Sequence, residues 1–207
     1  MADSPLLIAG LGNPGAQYAR NRHNVGFMVV DTIHESYDFG PWRVKFQGLI
    51  SEGKLARRKT YLLKPMTYMN DSGLSVGPAV RFLKLLPSAV VVMHDEIDLA
   101  AGKLKAKTGG GDAGHNGLRS ITANLGPDYH RVRIGVGHPG TKDRVHGHVL
   151  QNFAKSDEDW LVPLLSAIAE AAPALAQNDV IGFMNKVALI LNPPEHKPKP
   201  EPEKDGS

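Results

Sequence analysis

The sequence predicts an α/β fold, with a single domain whose mixed, mostly parallel twisted sheet has helices on both faces. Short apolar runs that are typical of buried strands alternate along the chain with segments of helical periodicity. The length of 207 residues is close to that of one ordinary domain. With 42% hydrophobic and 22% charged residues, the composition is that of a globular protein and excludes a disordered chain, a collagen and a coiled coil.

Changes in apolar spacing predict the elements of the first half of the chain. The run LLIAGL over 6–11 predicts a buried strand, and apolar residues at helical spacing predict a helix over about 23–36. Two or three short strands are expected within 44–63. Helical spacing of aliphatic residues then predicts a second amphipathic helix over 76–86.

The second half is predicted in the same way. The run AVVVM over 89–93 is the most β-like of the chain, and we expect it to end directly in the polar string HDEID. Residues 160–191 are predicted to be helical, with interruptions near Pro173 and Gly182. Between these segments, the spacing predicts a strand over 103–107, a helix over 118–125 and a strand over 131–136.

Composition sets the limits of the domain and of its chemistry. We predict one domain over 1–192 and a disordered tail over 193–207, because the tail holds five of the fifteen prolines and no large aliphatic residue. The chain has no cysteine, which excludes disulfides, a thiolate nucleophile and cysteine-ligated metal clusters. The N-terminus lacks the basic region of a signal peptide, and no apolar run is expected to span a membrane. These features predict a soluble, cytoplasmic protein.

Gly10, Gly12 and Gly15 form a G-x-G-x-x-G pattern after the first predicted strand, as in dinucleotide-binding loops. Two features disfavour that interpretation. The polar stretch 16–22 separates the glycines from the predicted helix, whereas a dinucleotide fingerprint opens its helix within the loop. Asp31, at about the right distance for a ribose contact, falls inside the helix. A tight glycine turn at the strand end is the simpler alternative.

His23 and Asp95 are candidates for an acid–base pair. His23 lies near the start of the first predicted helix, and Asp95 follows the most β-like strand, where a carboxylate needs a hydrogen-bonding partner. If the strand ends converge, Asp95 accepts the proton of one imidazole nitrogen and leaves the other nitrogen as a general base. The alternatives are a partly exposed helix-start residue for His23 and a turn-capping carboxylate for Asp95 or Asp98.

Asn13, Asn70 and Asn116 each lie in a loop flanked by glycine. A neutral amide can hold a carbonyl oxygen or orient a water, although each asparagine alone is equally typical of a turn. Together with a histidine and an aspartate, they indicate a hydrolytic site that works at neutral pH. The chain has no G-x-S-x-G elbow, so an activated water is the simplest nucleophile. Four further histidines show no metal-ligand spacing: His130, His138, His146 and His148.

Basic residues are concentrated in one region. Residues 101–150 hold eight basic and three acidic residues, a net charge of +5 against +3 for the whole chain. Lys103, Lys105 and Lys107 alternate along a predicted strand beside the loop GGGDAG, whose backbone amides could also hold an anion. A solvated charged face is the alternative, but the position beside the candidate site loops favours a phosphate-rich substrate.

Five segments, spread in order over roughly residues 6–191, together resemble the bacterial-type peptidyl-tRNA hydrolases. They are GLGNPG with QYARNRHNVGF, KPMTYMNDSG, VVMHDEIDL, GGGDAGHNGLRSI and HRVRIGVGHPG. The resemblance implies a monomeric α/β enzyme that uses no metal or cofactor. It also implies the reaction, hydrolysis of the ester that joins a peptide to the 3′ end of tRNA.

The resemblance also implies roles for individual residues. His23 is the general base, Asp95 its orienting partner and Asn13 the third catalytic residue. Asn13, Asn70 and Asn116 bind substrate and water. The other implied contacts are Tyr18, Tyr68 and Met69 near the peptide and terminal adenosine, and Lys107, Arg133 and Lys142 at tRNA phosphates.

One loop departs from the family pattern. The family commonly has GGGHGGHNG, whereas Asp112 and Ala113 stand here in place of the histidine and the glycine. The substitution changes the charge of the loop and leaves His23 and Asp95 untouched. A rival interpretation, a non-catalytic RNA-binding protein, gives no reason for His23 and Asp95 to cooperate. It also lacks a stacking platform, because aromatic residues make up only 6% of the chain.

Overall fold

The two most apolar runs form the centre of the sheet in the computed structural model, which describes residues 4–194. Every residue of β1 (Leu6–Gly10) and of β5 (Val90–Glu96) is buried, as expected for strands covered on both faces. The sheet has seven strands in the order β2-β3-β4-β1-β5-β7-β6. The other strands are β2 (Arg43–Lys45), β3 (Gly48–Leu55), β4 (Arg58–Pro65), β6 (Leu104–Thr108) and β7 (His130–Gly135).

The sheet is mixed, as predicted. The four central strands β4, β1, β5 and β7 are parallel to one another. At the two edges, β3 pairs antiparallel with β2 and β4, and β6 pairs antiparallel with β7. The carboxyl ends of β1, β4, β5 and β7 therefore meet along one side of the sheet, where ligands gather in open α/β folds.

Helices cover both faces of the sheet. Leu6 and Ile8 of β1 belong to an apolar cluster with one group of helices, whereas Leu7 and Ala9 belong to a second cluster on the opposite face. The first face holds α1 (Val25–Ser36), α5 (Glu158–Ala176) and α6 (Val180–Leu191), and the second holds α2 (Gly73–Phe82) and α3 (Asn116–Leu125). A short helix, α4 (Val145–Val149), follows β7.

Two details of the prediction are wrong. The polar residues His94, Asp95 and Glu96 do not follow β5 but form its end, paired with β7. The helix predicted to break near Pro173 runs through that residue to Ala176.

The second error has its cause outside the helix. Pro173 has no N–H for the carbonyl of Ala169 four residues earlier, and Tyr37 supplies the missing donor from its hydroxyl at 3.0 Å. The break falls instead at Asn178, whose φ is +60°. Gly182 lies inside α6, where its N–H donates to the capping Asp179 at 2.7 Å.

The structure also contains a helical segment that is long enough to span a membrane. By length and composition, Lys155–Ala176 is apolar enough to cross a membrane, contrary to the expectation from sequence. Half of the most apolar 18-residue stretch of this segment is buried, and α5 packs against α1 and α6, as the core helix of a globular fold does. The predicted tail over 193–207 lies outside the described residues from position 195 onward.

Candidate active site

His23 and Asp95 are in contact. His23 lies in a 3₁₀ turn (Arg22–Asn24) directly before α1, and Asp95 is the penultimate residue of β5. His23 Nδ1 donates to Asp95 Oδ1 at 2.8 Å, and the Asp95 side chain is only 2% exposed. The bond leaves Nε2 of the partly exposed His23 ring as the nitrogen that can accept a proton.

A second imidazole shares the same carboxylate oxygen. His115 Nε2 donates to Asp95 Oδ1 at 3.0 Å, while its Nδ1 accepts from the backbone N–H of Leu118 at 3.3 Å as the N-cap of α3. The two contacts together require the neutral tautomer that is protonated at Nε2. Sequence reasoning assigned no role to His115, because its contact with Asp95 depends on the packing of β5 against the start of α3.

The two histidines and Asp95 change one another's pKa. Burial alone would raise the pKa of Asp95, but His23 and His115 hold that pKa well below its usual range. Burial likewise opposes the charged form of His23, and the charge of Asp95 together with its hydrogen bond outweighs this and raises the pKa of His23 above 6.5. Asp95 is therefore a carboxylate at neutral pH.

His94 supports the cluster from inside the sheet. Its Nδ1 donates to the backbone carbonyl of Asp95 at 2.7 Å, and its ring meets that of His115 edge-on with centroids 5.0 Å apart. Nε2 of His94 is buried and has no partner among residues 4–194. Burial, followed by the nearby His115, lowers the pKa of His94 to about 3, so this ring is neutral.

Asn13 joins two loops of the site. Its backbone N–H donates to Asn24 Oδ1 and its carbonyl accepts from Asn24 Nδ2, both at 2.9 Å. Its side-chain Oδ1 accepts from the backbone N–H of Met69 at 2.8 Å. The side-chain Nδ2 of Asn13 is thus the group left to meet a ligand. Sequence reasoning missed Asn24, whose role depends on this reciprocal contact.

The other predicted substrate residues lie around these loops. Asn116 is the first residue of α3, and its Oδ1 accepts from Arg119 at 3.4 Å. Asn70 is exposed in the turn Met69–Asp71, and Met69 itself is buried. Tyr68, 61% exposed, precedes this turn, and Tyr18 ends a turn after Gly15.

A cavity of about 330 Å³ opens beside the imidazoles. Five of the predicted site residues are not in its lining: Asn13, Tyr18, Tyr68, Met69 and Asn70. Asn13 is hydrogen-bonded to Asn24, the residue after His23. A larger cavity of about 470 Å³ lies at β2–β3, remote from this cluster. The residues of the smaller cavity that carry polar chemistry are His23, Asp95, Glu96, His115, Asn116, Lys142 and His146.

The three predicted phosphate contacts differ in their surroundings. Lys142 is exposed and lines the cavity. Arg133 Nε donates to the buried carboxylate of Glu96 at 2.9 Å, which leaves part of its guanidinium facing outward. Nζ of Lys107 lies beside the backbone of Gly110 in the glycine loop.

The cluster could also be considered as a metal site. The ligand atoms of His23, Asp95 and His115 lie within 4.8 Å of one another. However, the two ring nitrogens that face Asp95 carry the protons donated to it at 2.8 and 3.0 Å. A metal would have to break both hydrogen bonds and deprotonate both nitrogens, so this arrangement fits a hydrogen-bonded relay better.

The glycine motif lacks the geometry of a dinucleotide-binding loop. Helix α1 begins only at Val25, and Asp31 lies within it, paired with Lys64. Gly15, the last glycine of the motif, has a φ of +114° and opens a turn rather than a long helix. The objections raised from sequence to dinucleotide binding are thus confirmed.

Comparison with known proteins gives one consistent result. The model of the peptidyl-tRNA hydrolase family matches residues 7–198. A peptidyl-tRNA hydrolase from Ruegeria pomeroyi is 61% identical over 188 residues, which is 91% of this chain and 79% of the relative. Another, from Parvibaculum lavamentivorans, is 58% identical over 203 residues, or 97% of this chain and 98% of the relative.

Solved structures agree. The crystal structure of peptidyl-tRNA hydrolase from Acinetobacter baumannii has a TM-score of 0.85 and 40% identity, covering 90% of this chain and 96% of that one. A complex of peptidyl-tRNA hydrolase with N-propanol has a TM-score of 0.84 and 41% identity, covering 89% and 94%. The family resemblance seen in the sequence is therefore confirmed, and the chain belongs to the peptidyl-tRNA hydrolase family, whose reaction is the hydrolysis of peptidyl-tRNA.

Proposed function

We propose that this hydrolase cleaves peptidyl-tRNA with a water molecule activated by His23, without a covalent intermediate. The observation that carries the proposal is the hydrogen bond of 2.8 Å from His23 Nδ1 to the buried Asp95. It holds the ring in the tautomer whose free Nε2 accepts a proton. The sequence has neither a nucleophile elbow nor a cysteine thiol, so water is the nucleophile.

The proposed reaction has two steps. As the water oxygen attacks the ester carbonyl carbon, Nε2 of His23 takes one of its protons, and the carbonyl oxygen becomes an oxyanion. The intermediate then collapses, the bond from the carbonyl carbon to the ribose 3′ oxygen breaks, and His23 returns its proton to that oxygen. The products are a peptide with a free carboxyl group and a tRNA with a free 3′ end. Asp95 stabilises the imidazolium between the two steps.

The amides are proposed to hold the substrate and the water. A neutral N–H₂ group can donate to the developing oxyanion without competing for the proton on His23. Asn13 is suited to this because its Oδ1 is already used by the Met69 N–H, which orients its Nδ2. Asn116 lines the cavity beside His23 and is proposed to bind the water or the ester. Asn70 is assigned to the substrate beyond the cavity.

The remaining contacts are proposed for the two ends of the substrate. Tyr18, Tyr68 and Met69 lie on the loops after β1 and β4 and are assigned to the peptide and the terminal adenosine. Lys107, Arg133 and Lys142 are assigned to tRNA phosphates, and the net charge of +5 over residues 101–150 supports this assignment.

We also propose the oligomeric state, the cofactor requirement and the location of the enzyme. A monomer is proposed because the family resemblance of the sequence implies one. A reaction without metal or cofactor is supported by the mutual hydrogen bonds of the three candidate ligands. A cytoplasmic location is proposed because peptidyl-tRNA arises in translation.

Release of peptide from purified peptidyl-tRNA, with and without a chelator, tests this mechanism. We expect His23→Ala to lose about 10²–10⁴-fold in rate while tRNA affinity and fold are kept. His130→Ala is a matched control, because His130 lies at the opposite end of β7 and contacts Thr108. Activity of His23→Ala within a few-fold of the unmodified enzyme would refute the assignment of the base. Loss of activity with chelator would refute the metal-free reaction.

A further inference from the structure

The loop that joins β6 to α3, residues 109–115, brings His115 to Asp95, yet little in its own sequence fixes its conformation. Four of its seven residues are glycine, which loses more backbone freedom on ordering than any other residue. Ala113 adopts a φ of +46°, in the left-handed region that residues other than glycine rarely occupy. Contacts from outside the loop must therefore hold it in place.

Arg131 of β7 provides the first of these contacts. Its side chain is fully buried, with the guanidinium 4.6 Å from the ring centre of Tyr129. Nη1 donates to the carbonyl of Gly111 at 2.6 Å, and Nη2 lies 3.6 Å from Asp112 Oδ1. A buried cation is costly without a counter-charge, and among residues 4–194 Asp112 is the carboxylate that forms an ion pair with it.

Asp112 connects Arg131 to the residues around Asp95 through hydrogen bonds. Thr122 of α3 donates its hydroxyl to Asp112 Oδ1 at 2.9 Å, so the carboxylate is held from both β7 and α3. The backbone carbonyl of Asp112 accepts from the N–H of His115 at 2.8 Å. His115 in turn donates to Asp95. A continuous series of polar contacts thus leads from the buried guanidinium to the carboxylate that orients His23.

We propose that Asp112 and Arg131 form a positioning pair that holds the loop 109–115 in the conformation in which His115 and Asn116 serve the reaction. The pair joins the loop to β7, which lies next to β5, the strand that carries Asp95. The inference rests on the proposed roles of His23 and Asp95. It concerns positioning, because neither member of the pair lines the cavity.

Asp112→Asn tests the proposal, since it keeps the shape of the side chain and removes its charge. We expect kcat to fall roughly 10–100-fold, as misplacement of catalytic groups does, on both peptidyl-tRNA and a short ester mimic without the tRNA body. KM should change far less, amide hydrogen exchange should accelerate over residues 111–115, and Asp112→Glu should restore part of the rate. Asp38→Asn, an equal change of charge at an exposed turn, should behave like the unmodified enzyme.

Three results would overturn the proposal. One is a lower Tm with unchanged kcat, which would make the pair merely structural. Another is a rise in KM for peptidyl-tRNA alone, which would assign Asp112 to tRNA binding. If Asp112→Asn does not fold because it leaves Arg131 buried without a counter-charge, the double variant Asp112→Asn with Arg131→Gln removes both charges, and full activity of that double variant is the third. His23→Ala assayed in parallel separates the two proposals, because its retention of activity would refute the proposed function itself.

Discussion

Gly10 and Gly26 place the end of β1 directly against the first turn of α1. A Cβ atom on Gly10 would lie 2.2 Å from the carbonyl oxygen of Gly26, and one on Gly26 would lie 2.3 Å from the carbonyl oxygen of Met93. This backbone contact brings the turn that carries His23 to the end of the strand that carries Asp95. The first glycine of the G-x-G-x-x-G pattern therefore serves helix–strand packing.

We expect Gly26→Ala to destabilise the fold, because the added methyl group would overlap backbone atoms that cannot rotate away. Overpacking of this kind costs about 1–3 kcal/mol, and more where the neighbours are backbone. Urea denaturation measures the loss. Gly147→Ala in α4 is the matched control, since a Cβ there meets no atom within 4 Å and alanine favours a helix. Equal stability of the two variants would contradict the proposed role of this contact.

Asp95→Asn should keep the geometry of the site but remove its charge. The amide oxygen can still accept from His23 and His115, whereas the imidazolium formed during the reaction loses its counter-charge. We expect the rate at the plateau to fall by about 10²–10⁴-fold. Asp95 raises the pKa of His23, so the low-pH limb of kcat/KM should lie above pH 6.5 in the unmodified enzyme and move to lower pH in the variant.

A pH–rate profile of both proteins, with Tm measured alongside, separates the possible outcomes. A fall in rate with a limb that does not move would mean that His23 is not the titrating base. A variant that does not fold would show that Asp95 is needed for the structure first, and the rate could then not be used to support its role in the mechanism.

His94 predicts how stability depends on pH. Its pKa is about 3 in the fold and about 6.5 in the unfolded chain, so the unfolded chain binds the additional proton between these values. The contribution of His94 is therefore fully present above pH 6.5 and is lost as the pH falls toward 3, with a slope of up to about 1.4 kcal/mol per pH unit.

Denaturation in urea at a series of pH values checks this, with His94→Gln as the comparison. The variant should be less stable at neutral pH but should lose stability more slowly between pH 6.5 and 4. His23 acts in the opposite direction, because its raised pKa adds stability below 6.5 that is lost as the pH rises through its folded value. If the free energy of unfolding depends on pH in the same way for the two proteins, the burial of His94 does not cause the loss of stability at low pH.

The sequence predicts the sheet well where the signal is local. The runs that became β1 and β5 are apolar on both faces, so no distant contact is needed to recognise them. The prediction fails where a distant residue decides. Helix α5 continues past Pro173 because Tyr37, far away in the chain, satisfies a carbonyl. The polar end of β5 remains strand because His23 and His115 pair with Asp95 there.

The same distinction applies to the site. The contact between His23 and Asp95 could be predicted, because the carboxyl ends of parallel strands meet at one side of the sheet. His115 and Asn24 could not, since each is defined by contacts with other elements: His115 with β5 and α3, and Asn24 with the loop at Asn13. The role of Asp112 likewise depends on Arg131, which sequence reasoning placed only within a predicted strand.

The dependence of binding on salt tests the proposed phosphate contacts apart from the chemistry. If Lys107, Arg133 and Lys142 neutralise tRNA phosphates, affinity should fall as salt rises, because binding releases counterions. Removal of any one of these three cations should flatten the log–log slope by roughly one unit or less. Arg133→Gln is preferred to alanine, because Arg133 Nε donates to the buried Glu96 at 2.9 Å and glutamine can still donate there. Lys54→Ala on β3, at the far side of the sheet, is the control.

The measurement is tRNA affinity for each single variant over a salt series, together with hydrolysis of the short ester mimic. Lys142→Ala should give the clearest change, because this exposed residue lines the cavity. Lys107→Ala should give a smaller one, since Asp112 lies in the glycine loop beside it and reduces the local positive potential. Phosphate contacts position the substrate, so KM should rise while kcat on the mimic stays unchanged. Unchanged slopes in all three variants would show that the basic region is only a solvated face, and an equal reduction in rate on the mimic would place these residues in support of the active site.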